Sequence, residues 1–229
     1  MISICILGST GSIGKSVFKI IDHEKKNIKI RLLSANKNFK LICHQIKKYK
    51  PSYFIVNNHR IYLKVKKKFK KNKTKILNNF DNIKFRNRIN ISISAIPGIA
   101  GLSPTKKILK FVNKLLIANK ESIICGWNLI KRKLKKYKTE FIPIDSEHFS
   151  IFELIKNDKS ENIKKIYITA SGGPFLNINK SKLSKFIPKN AIKHPTWKMG
   201  KKISIDSSTL INKIYELIEA KKIFNLDYN

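Results

Sequence analysis

A short apolar run, Ile4-Cys5-Ile6-Leu7, leads straight into Gly8-Ser9-Thr10-Gly11-Ser12-Ile13-Gly14. Helical periodicity begins at once, with Ile13, Val17, Ile20 and Ile21 recurring at helical spacing. This strand–turn–helix unit constrains the fold more than any other stretch. Glycines permit a tight turn and let the backbone approach an anion, whose charge then meets the N-terminus of the helix. A glycine triplet alone also describes an ordinary tight turn. Its position between a buried strand and a helix favours a pyrophosphate-binding turn.

The same alternation continues. Apolar runs at Ile28 to Leu33, Tyr53 to Val56, Ile91 to Ile96, Leu115 to Ala118 and Phe141 to Ile144 read as strands. Helical patterns lie between them, such as Leu41, Ile42, Ile46 and Tyr49, and the very basic stretch Ile61 to Phe69. Strands alternating with helices imply an α/β protein with a Rossmann-like, doubly wound parallel sheet. From Asp145 the pattern changes. One more strand is expected at Ile166 to Thr169, then a loop-rich segment from Ser171 to Lys202, then a closing helix from Ser207 to Phe224. The expected organisation is a nucleotide-binding domain over 1–144 and a partial α/β catalytic domain over 145–229.

Composition narrows the partners. The chain carries 49 Lys+Arg against 14 Asp+Glu, a formal net charge of +35. Such an excess is compatible with a polyanion-binding surface. The lysines, however, are spread along the chain among many Ile, Asn and Phe, the bias that an AT-rich coding sequence produces. Nucleic acid is therefore not the expected partner. No run of 18 apolar residues suggests a membrane span, and the apolar N-terminus reads as a buried strand rather than a signal peptide. Three cysteines, Cys5, Cys43 and Cys125, lack metal-type spacing and fit a reducing cytoplasm.

Three further segments carry candidate chemistry. After the second strand, Ser34-Ala35-Asn36-Lys37-Asn38 has no acidic residue for a ribose 2′-hydroxyl, and Lys37 suits a 2′-phosphate, favouring NADP over NAD. In Asp145-Ser146-Glu147-His148, carboxylates two apart share a face if the segment is extended and can serve one cation. The same residues also read as a helix cap with an acidic first turn. In Ser207 to Glu216, Asn212 and Glu216 stack on one helical face, with Glu219 a further turn on. Glu216 can supply a third carboxylate, while Ser207, Asn212 and Lys213 offer a hydroxyl, an amide and a cation to a phosphate. In isolation this is also an ordinary amphipathic helix with a serine cap. Ser171-Gly172-Gly173-Pro174-Phe175 can admit an anion to backbone N–H groups, and His194 to Gly200 has the composition of a mobile lid.

Taken together, GSTGSIG, AIPGIAGLSPT, ANKES, PIDSEH, SGGPF, HPTWKMGKKISIDSSTL and NKIYELIEA resemble, in order and spacing, the signature blocks of 1-deoxy-D-xylulose-5-phosphate reductoisomerases. The resemblance implies that Thr10, Gly11, Ser12, Ile13, Lys37, Asn38, Asn119, Glu121 and Gly200 hold NADPH. It implies Mg²⁺ or Mn²⁺ on Asp145, Glu147 and Glu216, and phosphosugar substrate on Lys120, Ser146, Glu147, Ser171, His194, Ser207, Asn212, Lys213 and Glu216. Lys120, Glu147 and His194 are the expected catalytic groups, and Trp197 and Met199 belong to a flap. The implied reaction is a metal-assisted rearrangement followed by hydride reduction to 2-C-methyl-D-erythritol 4-phosphate. Departures from the family pattern are Asn36, Ala170 and Ile214. Family enzymes also continue into dimer-forming strands and a C-terminal helical domain, so a C-terminally shortened chain is expected, with the family's homodimer in question for it. Rival readings are a decayed fragment that acts as a basic binding protein, and another NADP-dependent oxidoreductase.

Overall fold

The computed structural model describes residues 1–24, 27–156, 163–192 and 201–226 of the 229. They form two compact units, Met1–Ile144 and Asp145–Asn229.

In the first unit seven strands make one sheet: β1 Ile2–Leu7, β2 Ile28–Ala35, β3 Tyr53–Val56, β4 Lys75–Leu77, β5 Ile89–Ser94, β6 Val112–Ile117 and β7 Glu140–Pro143. Their order is β4-β3-β2-β1-β5-β6-β7, and every pairing is parallel. The chain winds outward from β1 to β4, returns to the middle at β5, and winds outward the other way. The order therefore reverses between β1 and β5, the place where open α/β sheets bind ligands. Helices α1 Ser12–His23, α2 Phe39–Tyr49, α3 His59–Lys68, α4 Leu102–Ile108 and α5 Lys120–Tyr137 connect the strands.

Period-two alternation explains the two-sided core. Ile4 and Ile6 join one buried cluster with Leu33, Phe54, Phe18, Ile42, Ile46 and Val65. Their neighbours Cys5 and Leu7 join the other, with Leu32, Ile55, Ile89, Ile108 and Val112. Successive strand residues point to opposite faces. A sheet covered on both faces needs both sets apolar, hence the unbroken hydrophobic runs.

Four expectations change. A strand absent from the expected set, β4, follows the basic helix as a three-residue strand at the sheet's edge. Short, lysine-bearing strands are typical of edges because they discourage further pairing, and they leave little apolar signal. The strand expected at Ile166 to Thr169 does not form; residues 163–172 carry no helix or strand, and Tyr167 is 82% exposed. The single closing helix is two, α8 Lys201–Ser208 and α9 Ile211–Phe224. Ser208 and Thr209 hydroxyls donate back to the carbonyls of Ile205 and Asp206, and Leu210 turns left-handed at φ 59°. Such side-chain back-bonding competes with the helical ladder. Finally, of the two readings of Asp145 to His148, the helix cap holds and the extended segment does not: Asp145 caps α6, Ser146–Ile155, and Glu147 lies in its first turn.

The described α-helices of the second unit are α6, the four-residue α7 Pro188–Ala191, α8 and α9. Among the described residues no helix is long and apolar enough to cross a membrane.

Candidate functional site

Two separate constellations answer to the expected residues, one in each unit. In the first unit β1 ends in the glycine turn at the point of reversal. Gly8 adopts φ +87°, and a Cβ there would lie 2.6 Å from the Ala95 carbonyl oxygen just beyond β5. Only glycine satisfies both the left-handed φ and the close approach. A Cβ on Gly14 would meet the Gly8 and Ser9 carbonyl oxygens at 2.6 Å, so α1 starts hard against the turn. Gly11 and Ser12 are exposed, and Thr10 and Ile13 half-buried. The turn thus presents Thr10 to Ile13 at the N-terminus of α1, which has no side-chain cap and so offers unsatisfied N–H donors.

Lys37 and Asn38 are exposed beyond β2. The Asn38 side chain accepts a hydrogen bond from Leu41 N at 3.1 Å and caps α2. Asn119 is buried, and its amide ties two loops together. It accepts from Ser122 N at 2.6 Å to cap α5, and donates to the carbonyls of Ile96 and Gly98, the latter at 2.9 Å. Among the expected cofactor residues, Asn119 thus has its amide engaged by backbone, with Glu121 in the first turn of the helix it caps. Lys120 opens the same helix.

The second unit gathers charge. Lys213 Nζ, on α9, lies 3.2 Å from Glu147 Oε1 and also pairs with Glu216 Oε2. Asn212 donates to the other Glu216 oxygen at 2.5 Å, and Ser146 donates to Glu147 Oε2 at 2.6 Å. Glu216 is 2% exposed. One ammonium thus stands between two carboxylates from different helices. Burial alone would raise the Glu147 pKa, but the Ser146 hydrogen bond and the Lys213 charge more than offset it, and the net shift is downward. Burial would likewise lower Lys213, yet Glu216 and Glu147 hold it above its usual value.

Asp145 turns to a different partner. Its Oδ1 accepts from His148 N at 2.8 Å and lies 2.6 Å from His148 Nδ1. The other ring nitrogen of His148 is 2.9 Å from the Glu216 carbonyl oxygen, and Glu219 Oε2 is 3.5 Å from Nδ1. His148 is wholly buried and Glu219 is 1% exposed. With an acceptor at each nitrogen, the imidazole satisfies both only as the cation. Burial works against that charge, but the Asp145 hydrogen bond and the Glu219 and Asp145 charges prevail, so the pKa rises. One ligand-type atom from each of Asp145, His148 and Glu219 falls within 4.8 Å of the others. The expected metal carboxylates are thus in two neighbouring arrangements, Glu147 with Glu216 on Lys213, and Asp145 on His148.

The donor set fits a divalent cation. The Lys213 ammonium stands in for one: two carboxylates already converge on a single positive charge, the oxygen-rich environment that hard cations take. The serine–glycine turn lies beside α8, since a Cβ on Gly173 would come within 2.8 Å of the Ser207 carbonyl oxygen. Ser171 Oγ accepts from Gly173 N at 3.4 Å. Gly173 of this turn thus packs against the Ser207 backbone, with Asn212 and Lys213 in the first turn of the next helix. His194, Trp197, Met199 and Gly200 lie outside the described residues. Sequence reasoning missed Glu219 and His148 as partners of the acidic cluster, although each lies three residues after an expected ligand. It also missed Gln45.

A doubly wound dinucleotide-type fold, with a separate acidic cluster closed by a lysine, defines the class: an α/β protein built for a nucleotide and a metal-type site. Known proteins narrow it. The family model for 1-deoxy-D-xylulose 5-phosphate reductoisomerase matches residues 4–126, and that for the same enzyme's C-terminal domain matches residues 141–224. The chain belongs to the 1-deoxy-D-xylulose 5-phosphate reductoisomerase family. The Pelagibacter ubique enzyme of that name is 54% identical over 232 residues, covering all of this chain and 60% of its own length. The enzyme from a Wolbachia strain of Drosophila simulans is 40% identical, covering 99% and 58%. A crystal structure of the reductoisomerase with NADPH, fosmidomycin and magnesium superposes with a TM-score of 0.87 at 33% identity, over 99% of this chain and 59% of that one. The Zymomonas mobilis enzyme with NADPH gives 0.86 at 29%, again over 99% and 59%. The chain spans about 60% of the length of the relatives it matches.

Proposed function

We propose that this chain supplies the NADPH-binding and metal-binding parts of an enzyme that isomerises and reduces 1-deoxy-D-xylulose 5-phosphate to 2-C-methyl-D-erythritol 4-phosphate. The observation that carries the reading is the meeting of Glu147 and Glu216 on Lys213, beside Asn212. It supports a site that takes a divalent cation and a phosphate in adjoining positions. Relatives solved with NADPH, fosmidomycin and magnesium support the same ligands here.

In this reading Thr10 to Ile13 hold the pyrophosphate of NADPH, and Lys37 and Asn38 its 2′-phosphate. Asp145, Glu147 and Glu216 hold Mg²⁺ or Mn²⁺, which requires the Lys213 ammonium to leave its place between the two glutamates. Lys213 then joins Ser171, Ser207 and Asn212 on the substrate's phosphate. A buried charge pair is thereby exchanged for a charge-assisted contact to the substrate, so affinity for cation and substrate are coupled through one side chain. Lys120, Ser146 and His194 are assigned to the reacting part of the sugar, with Glu121, Asn119 and Gly200 on the cofactor and Trp197 and Met199 in a closing flap. When bound, the divalent ion supplies Lewis-acid polarisation of the substrate oxygens and NADPH supplies hydride. Phosphate binding far from the reacting carbons contributes orientation, the use of remote binding energy expected of such a site. The buried, unpaired thiols of Cys5 and Cys43 support a reducing compartment, the cytoplasm.

The test is metal-dependent oxidation of NADPH on adding 1-deoxy-D-xylulose 5-phosphate. Turnover that needs both the sugar and Mg²⁺ or Mn²⁺ is expected. NADPH oxidation indifferent to chelation would favour another NADP-dependent oxidoreductase, and binding of polyanions alone would favour a basic binding protein.

A further inference from the structure

Gln45 lies on α2 at 1% exposure, and its amide is spent on the glycine turn. Gln45 Nε2 donates to the Ser9 carbonyl at 3.0 Å, while Gln45 Oε1 accepts from the Ser9 hydroxyl at 2.7 Å. The assignment of the two ends is fixed, because a carbonyl oxygen can only accept and so must face the NH₂ group. Ser9 itself is fully buried. Its N–H donates to the Ser34 carbonyl at 2.8 Å, and Gly8 N donates to the same oxygen at 3.1 Å and to Ser34 Oγ at 3.1 Å. Every polar atom of Ser9, backbone and side chain, is therefore held from inside the protein.

This has a directional consequence. The Ser9 carbonyl and the Thr10 N–H belong to one planar trans peptide, so they point in opposite directions. With the carbonyl pinned to a buried amide, the Thr10 N–H is turned away from the core, the direction from which an anion reaches the start of α1. Helix α2, which carries Gln45, has Asn38 as its N-cap, seven residues earlier. One rigid element thus fixes the aim of the pyrophosphate turn at one end and shapes the Lys37–Asn38 loop at the other. We infer that Gln45 is a positioning residue for the dinucleotide: it aims the Thr10 N–H at the pyrophosphate and sets its spacing from the 2′-phosphate loop. The inference rests on the cofactor reading given above.

The experiment uses the full chain and compares NADPH with adenosine 2′-monophosphate, which has the 2′-phosphate but no pyrophosphate. Gln45→Glu keeps an acceptor for the Ser9 hydroxyl and sets a carboxylate oxygen against the Ser9 carbonyl. Gln45→Met keeps the side-chain length and removes both hydrogen bonds. Each variant is expected to weaken NADPH binding, read by fluorescence titration, by about tenfold or more, with adenosine 2′-monophosphate affinity unchanged within about twofold. Ser9→Ala, which leaves the carbonyl bond in place, is expected to retain NADPH affinity within about threefold. If Gln45→Glu does not fold, Gln45→Met decides. NADPH affinity at the parent level in a folded Gln45 variant would overturn the inference. So would an equal loss of both ligands, which would show α2 to be a purely structural support. A parent chain that binds neither ligand would sink the cofactor reading itself, a different outcome from either.

Discussion

The two units bury polar groups in opposite ways. Among the described residues of the first, the buried polar side chains are neutral, such as Ser9, Ser34, Gln45, Ser92, Thr105 and Asn119, set among a large apolar core. In the second, the buried apolar residues are Ile151, Ala191 and Ala220, while His148, Glu216 and Glu219 are buried too. A neutral amide that is hydrogen-bonded costs little to bury, whereas an ion is tolerated only with its partners present. The first unit therefore owes its stability to burial of apolar surface, and its proposed ligand groups are backbone N–H donors on the glycine turn. The second buries charges that are also the groups proposed to hold the metal and the substrate, so its order is expected to depend on what occupies the site.

The largest effect should come from breaking the charged cluster. Glu216→Gln is expected to lower metal-dependent turnover by on the order of a thousandfold, because one carboxylate is lost and Lys213 keeps only Glu147. NADPH affinity should stay within about twofold, since the turn proposed to bind it is in the other unit. Steady-state kinetics and a cofactor titration on the same preparation check both halves. A parallel loss of NADPH binding would break the contrast between the units.

A smaller effect, of opposite sign, sharpens it. Lys213→Gln removes the ammonium that a divalent ion must displace. Manganese affinity, measured by electron paramagnetic resonance, is expected to rise by about fivefold or more, while KM for the phosphosugar rises as well. Weaker manganese binding would mean that Lys213 supports the cation site rather than holding its place.

Acidity should separate the units next. The Glu147 pKa is lowered on folding from 4.5, so its stabilisation is present above that value and lost as pH falls through the lower folded one. The His148 pKa is raised from 6.5, so its stabilisation is complete below 6.5 and lost as pH rises through the higher folded value. Without divalent ions the second unit should be most protected between these limits, in the mildly acidic range, and lose amide protection on either side. The neutral buried groups of the first unit give it no comparable dependence. Hydrogen exchange followed by mass spectrometry across pH reads both units at once.

How far the sequence foretold this follows the same division. The parallel sheet was readable because strands buried on both faces leave unbroken runs such as Ile4 to Leu7 and Tyr53 to Val56. A glycine turn set directly between such a strand and a helix pointed the same way. Edge strand β4 left no such run. In the second unit the apolar periodicity is weak, so Ile166 to Thr169 looked like a strand without a partner to pair with, and two helices looked like one. Local geometry left Asp145 open between two readings, because an N-cap and the end of a strand demand similar residues, and the position of α6 decides for the cap. Gln45 does carry a sequence signal. It falls with Ile42, Ile46 and Tyr49 on the inward face of α2, where an amide has to find partners.

The smallest effect gives the most controlled comparison, since it can be made wholly within the first unit. Asn38 and Asn58 cap α2 and α3 in the same way, accepting from Leu41 N at 3.1 Å and from Ile61 N at 3.0 Å. Neither asparagine is buried. Replacing either by alanine removes one cap bond, so each should cost about 1 kcal/mol of stability in denaturant unfolding. The two differ in assignment: Asn38 follows Lys37 in the loop assigned to the 2′-phosphate, whereas Asn58, after β3, is not among the residues assigned to the cofactor. Asn38→Ala should therefore also weaken NADPH binding, by about threefold to tenfold, and narrow the preference for NADPH over NADH, while Asn58→Ala leaves both unchanged. Equal NADPH affinities in the two variants, at equal cost in stability, would confine Asn38 to capping and remove it from the cofactor site.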